Sequence, residues 1–394
     1  MRANSQLEAS MHIPKTLRPL TAGVSCLVQL SLVMASVGAQ HPVLAPTVDT
    51  TIVVSAAALH YSAIAIPTGV TVRFVAPGFG PQSLPGMSAI VLCDGDAIVH
   101  GTLSVAGDST NAYAAGWVTI GAGNYGTQCG SGLNSLYFPP QGGRHGGTYG
   151  SVVPFSLEGG GLGGSLDVYD SSCFQFLHSN GGGHPGGTLA LLAGGRIEIH
   201  GAVTADGHHY MSSSGGSGGS ILLRGNGGVL VQPTGSVTAL GGVSTGTTPP
   251  PVANGAPGYI RLDAWGAAPV ILGTVNPPPT VLTLPFLRVP SPPQIGSLWT
   301  LDVHAPDGAP VFVSVSLQPV PGTPTPFGLL GIDLSFAASL GVSVAQSSHD
   351  PVAHAALAVP NAPVFIGLSL WAQGLVVPPA LPARLTNTVA VTVQ

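Results

Sequence analysis

The sequence predicts an all-β chain in two parts. An N-terminal right-handed parallel β-helix with long glycine-rich loops comes first, and a small antiparallel β-sandwich follows. Three observations carry this reading. One strand-and-glycine line recurs along the first part, apolar residues alternate with period two, and the last hundred residues hold short strand signals at near-regular spacing. Gly (57) and Pro (37) together make about a quarter of the 394 residues, a level at which disorder is suspected, but 44% of the chain is apolar. A disordered segment lacks that much burial capacity, so the chain reads as folded strand and turn.

Residues 1–39 read as a secretory signal. Lys15 and Arg18 form a basic region, Thr21–Val37 an apolar core, and Val37-Gly38-Ala39 a small-residue cleavage site near Ala39. Met11 is an alternative start to Met1, and a retained membrane anchor is the competing reading of the same stretch. No later segment has the uninterrupted apolar run of a spanning helix. Without the signal the chain loses its only lysine and keeps seven arginines against fourteen acids. An acidic, lysine-free chain has no electrostatic footprint for nucleic acid or an anionic membrane.

The β-helix is expected over 40–275. TIVVSAAALHYSAIAIPTGVTVRFVAPG (51–78) alternates and supplies the cap and first coil. SAIVLCDGDAIVHGTLSVAG (88–107) then aligns without a gap to TLALLAGGRIEIHGAVTADG (188–207). Inward positions are Ala89, Val91, Cys93, Ala97, Val99, Leu103 and Val105, with Leu189, Leu191, Ala193, Ile197, Ile199, Val203 and Ala205 as counterparts. A third copy, 219–242, repeats them with Ile221, Leu223, Val229, Val231, Val237 and Ala239, adding two residues before Gly235. A partial fourth begins at 258. Three short strands per line, joined by glycine corners at Gly101, Gly201 and Gly235, are the pattern of a stacked coil. Glycine-rich excursions separate the copies, the largest spanning 108–187.

NPPPTVLTLPFLRVPSPPQ (276–294) reads as a proline-rich linker. Beyond it, 295–394 carries strand candidates at Leu298–His304, Val311–Leu317, Leu329–Ser335, Ala355–Val359, Phe365–Ala372 and Thr388–Val393. In the first part, IPTGVTVRF, AIVHGTLSVAG and GGSILLRG resemble glycine-rich, pectin-lyase-like right-handed parallel β-helix proteins secreted by bacteria. In the second, PFGLLGIDLS, PVFIGLSLWAQGLVV and LTNTVAVTVQ resemble a C-terminal module recurrent in extracellular proteins of environmental bacteria. The resemblance covers most of 50–394 and implies fold and export. It places no catalytic residue on a named position.

Candidate chemistry is sparse. The outward pair His100 and His200 should stack one coil apart, as a binding pair or as plain corner side chains; the third copy has Gln232-Pro233-Thr234 instead. His178, His184, His208 and His209, with His145 and an aspartate such as Asp206 or Asp170, offer donors for a borderline cation but lack any metal-motif spacing. Asp94, Asp96 and Asp108 are turn carboxylates without the nonapeptide calcium pattern. Asp94, Asp96, Arg196 and Glu198 are what a polysaccharide lyase or hydrolase on this scaffold would draw on. Trp299 and Trp371, with Phe365, are the candidates for stacking on a glycan. No phosphate loop is present, and no cofactor is implied. Of the cysteines outside the signal (Cys93, Cys129, Cys173), Cys129 with Cys173 is the preferred disulfide. The expectation is an exported, non-catalytic structural or adhesive protein of the cell surface or matrix, contacting extracellular polysaccharide or surface components. The enzyme and the carbohydrate-binding protein are the alternatives.

Overall fold

The computed structural model describes residues 41–54, 57–75, 89–107, 186–208, 215–243, 254–345 and 351–394, and the backbone of 166–170 and 175–180. The signal segment, Cys129, Cys173, Asp108, His145, His184 and His209 lie outside the described residues.

Three parallel six-stranded sheets form the faces of a β-helix. The chain visits them in a fixed rotation. Val43–Leu44, Thr50–Val53 and Leu59–Tyr61 open the first coil, one strand on each face. Five further coils follow, closing with Val270–Ile271, Thr274–Asn276 and Thr280–Leu284. The copies at 88–107 and 188–207 stack directly: Ala89 lies beside Leu189, Ala97 beside Ile197 and Leu103 beside Val203. The third copy keeps step on two faces, where Leu189 pairs with Ile221 and Ile197 with Val229. On the next face Val203 meets Val237, two residues further along, which absorbs the extra pair before Gly235.

Period-two alternation follows from the pleat, which sends successive side chains to opposite sides. Every inward residue named from the three copies is buried, from Ala89 and Val91 through Val237 and Ala239. Their side chains build one continuous core along the coil axis. Glycine is needed at the corners for a different reason from the one expected. Gly101, Gly201 and Gly235 do not adopt left-handed angles. A Cβ on Gly201 would lie 2.0 Å from the Gly101 carbonyl oxygen, and one on Gly235 would lie 2.1 Å from that of Ile199. The corner demands backbone-on-backbone approach.

The long excursion leaves after the second face of one coil and returns at Thr188–Ala193 on the third. Its two ends are adjacent, since the Gly187 amide donates to the Val105 carbonyl at 2.7 Å. Within it, Leu166–Asp170 and Gln175–Asn180 form an antiparallel pair.

The stretch 276–294 is not free of structure. Thr280–Leu284 is the sixth strand of the third face, and Phe286–Arg288 pairs antiparallel with Leu298–His304. Proline punctuates these strands at their ends, where a missing amide donor costs no ladder bond. The change from parallel to antiparallel pairing therefore occurs across Pro285.

The C-terminal module is sandwich-like. One sheet contains Phe286–Arg288, Leu298–His304 and Val352–Ala358; the other joins Ala337–Val344, Pro310–Ser316, Ser369–Val376, Arg384–Leu385 and Val389–Thr392. Pro319–Thr325 and Gly328–Ile332 form a separate hairpin. The module's core includes Trp299, Leu301, Val303, Val311, Val313 and Ala372, and Trp265 and Leu284 of the β-helix belong to the same cluster. Pro319–Thr325 and Ala337–Val344 were not foreseen, because proline density and small residues conceal their pairing.

Candidate functional site

Polar groups gather where the third face turns into the first. In the second coil this corner is Asp94-Gly95-Asp96, directly after the buried Cys93. The alternation that buries Cys93 and Ala97 leaves the two aspartates outward. One coil later the corresponding corner is Gly194-Gly195-Arg196. Stacking sets Arg196 over Asp96.

Asp96 serves the backbone. Its Oδ1 accepts the Arg196 amide at 2.8 Å, and its Oδ2 lies 3.5 Å from Arg196 Nε. A Cβ on Gly195 would stand 2.1 Å from Asp96 Oδ1, so the glycine makes room for the carboxylate. Arg196 Nη1 also reaches Glu198 Oε1 at 3.3 Å, and Glu198 Oε2 lies 3.6 Å from His200 Nε2. The His100 and His200 rings stack with centroids 4.3 Å apart, close to one coil step. Asp96, Arg196, Glu198 and the two histidines thus form one chain of contacts along the corner and first face. One guanidinium spans the two carboxylates.

Asp94 belongs to a second group. His41 Nδ1 lies 2.9 Å from its Oδ2, and His60 Nε2 lies 2.7 Å from its Oδ1. The imidazole planes stack at 3.4 Å with an interplanar angle of 23°. His41 precedes the first strand, His60 sits in Leu59–Tyr61 and Asp94 turns the corner of the next coil, so three separated segments converge. The hydrogen bond from His41, with that from His60, holds the Asp94 carboxyl below the usual carboxylate range, against the opposing effect of burial. Sequence reasoning named Asp94 but missed both histidines. The signal lay in coil register: His60 occupies the outward position paired with Leu92, two residues before Asp94.

Of the other histidine candidates, His145, His184 and His209 lie outside the described residues, and His178 is described in its backbone alone. His178 lies in Gln175–Asn180, and Asp206 is engaged structurally, accepting Thr238 Oγ1 at 2.8 Å and the Leu240 amide at 2.6 Å. Cys93 is a free thiol inside the coil core, and burial pushes its pKa up. That makes it inert rather than nucleophilic.

Trp299 is 1% exposed and packs in the module's core. It presents no stacking face, which removes it from the glycan candidates. It alternates on the buried side of its strand with Leu301 and Val303. Trp371 is half-buried and lines a cavity of about 960 Å³ with Thr283, Phe327, Arg384 and Asn387. Phe365 packs against the core.

The outer side of the third face holds a further charged group. Arg224 Nη2 and Arg261 Nη2 each donate to Asp263 Oδ2 at 2.7 Å, while Arg261 Nε donates to Oδ1 at 2.8 Å. All three side chains are buried. Solvent-facing charges were expected on the strands; here the sheet is buried on both sides through Ser220–Gly225.

No family model, curated protein or solved structure matches the chain.

Proposed function

We propose that the chain is an exported, non-catalytic structural or adhesive protein of the cell surface or extracellular matrix. The observation that carries this reading is the state of the outward charges. Asp96, Arg196 and Glu198 are tied into one chain of ion pairs, with Asp96 also bonded to backbone, and Asp94 is engaged by two histidines. These contacts link adjacent coils, so the charges serve the stacking. The resemblance of the first part to secreted bacterial, pectin-lyase-like β-helix proteins supports export. An outward apolar row on the sandwich supports a contact role: Phe312 pairs with Val342 and Pro310 with Val344, and Phe312, Val342 and Val344 are exposed.

The test is a paired one. The protein is followed by immunodetection in cell, surface-wash and medium fractions of its own source, and the purified chain is assayed for reducing-end release from a panel of polysaccharides. Surface or medium localisation without sugar release is expected. Retention inside the cell, or release well above a heat-denatured control, overturns the reading.

A second reading, carbohydrate binding, rests on the Trp371 cavity. Arg384 Nε is buried there without a hydrogen-bond partner, beside an indole able to stack on a sugar. A glycan array probed with the full chain and Trp371→Ala decides it: array signals that Trp371→Ala leaves unchanged sink this reading.

A further inference from the structure

Two stacked imidazole pairs lie along the coils, His100–His200 and His41–His60, and in the second both rings also face one carboxylate. The apolar core of the β-helix closes without either imidazole of the second pair. Yet His41 Nδ1, His60 Nε2 and a carboxylate oxygen of Asp94 all lie within 4.8 Å of one another. The stacking holds both ring nitrogens on the same side, facing one carboxylate.

We propose that His41, His60 and Asp94 bind one Zn²⁺ ion, which staples the leading end of the β-helix. Two imidazole nitrogens and one carboxylate oxygen suit a borderline cation; Ca²⁺ and Mg²⁺ would require a shell of oxygens. The donors of a tetrahedral zinc site stand about 3.3 Å apart, given bonds of about 2.0–2.1 Å. To admit the ion the nitrogen-to-oxygen separations of 2.9 and 2.7 Å must widen, and the two rings must tilt out of their 3.4 Å stack so that both in-plane lone pairs point at it. These side chains are one-third to one-half exposed, so they have room to move. Binding replaces the ring protons that now face the carboxylate, and water takes the fourth position on the exposed side.

The place of the site gives the ion its purpose. Coils of a solenoid are stabilised by contacts with their neighbours, so a link between adjacent coils adds to the stack. His41 stands just ahead of the first strand, Val43–Leu44, while Asp94 belongs to the second coil. An ion held by both ties the first described coil to its neighbour.

The experiment uses the full chain, stripped with a chelator and titrated with ZnCl₂ by calorimetry, beside His41→Ala, His60→Ala and Asp94→Asn. His41→Ala lies outside the strands and keeps the fold testable by circular dichroism. Wild type should show a site whose affinity falls at least tenfold in each variant. Zn²⁺ should raise its melting temperature by a few degrees, an effect absent from the variants. Co²⁺ substituted for Zn²⁺ should give tetrahedral visible bands in the wild type alone. Zinc held by other histidines persists in every variant and cancels in the comparison. Equal affinity and equal thermal shift in all four proteins, or no binding at all, overturns the proposal and leaves the trio as hydrogen bonds only.

Discussion

A single atom decides what each corner can carry. At Gly201 the space that a Cβ would fill is taken by the Gly101 carbonyl oxygen, 2.0 Å away, with the His100 carbonyl oxygen at 2.3 Å. Backbone cannot yield as a flexible side chain does, so Gly201→Ala must push two coils apart. The expected cost is about 1–3 kcal/mol, as for other overpacked sites, read as a lower denaturation midpoint at unchanged slope. Glycine at this corner was legible from the repeat itself, but its reason was not. A one-dimensional pattern shows that glycine recurs; only the stacked neighbour shows that the obstacle is a carbonyl oxygen and not a backbone angle. His41 and His60 were hidden for the same reason. Nothing local marks them, and their meeting with Asp94 depends on which coil lies over which.

Among elements, the third face shows how charge can be tolerated where both sides of a sheet are covered. Asp263 neutralises one of the two guanidiniums that bracket it, and accepts hydrogen bonds from them at 2.7 to 3.0 Å. Asp263→Ala removes the shared counter-charge from two buried arginines. It should destabilise by about 3–5 kcal/mol, the usual result of breaking a buried pair from one side, with a melting-temperature loss far larger than for Glu198→Ala on the exposed first face. A small loss would show that the arginines draw their compensation elsewhere. The strands of this face were readable because apolar residues alternate on their inner side. Their outer side was not, since Leu222, Arg224 and Arg261 look in sequence like ordinary solvent-side residues. The last strand, Thr280–Leu284, was lost among prolines that in fact bound it rather than break it.

At the scale of the molecule, the β-helix and the sandwich-like module share a cluster through Trp265 and Leu284, so the parallel stack ends against the module's own core. The two-part division was legible because the periodic line stops near the prolines. The shared cluster was not, because Trp265 and Leu284 look like any other alternating residue until their strands are paired. One property of the stack depends on a single junction, where Val105 and Gly187 are joined by a hydrogen bond across an excursion of about eighty residues. The entropy of closing a flexible loop rises only logarithmically, by about 0.6 kcal/mol per doubling of length. Twenty Gly/Ser residues added within that excursion should therefore cost about 0.2 kcal/mol of stability, measurable as an almost unmoved denaturation midpoint. A loss above 1 kcal/mol would refute this. The corners from first face to second and from third to first keep their length to within a few residues from coil to coil. At the passage from the second face to the third, sequence can be gained or shed with little thermodynamic trace, so the rod can carry a passenger there and stay a rod.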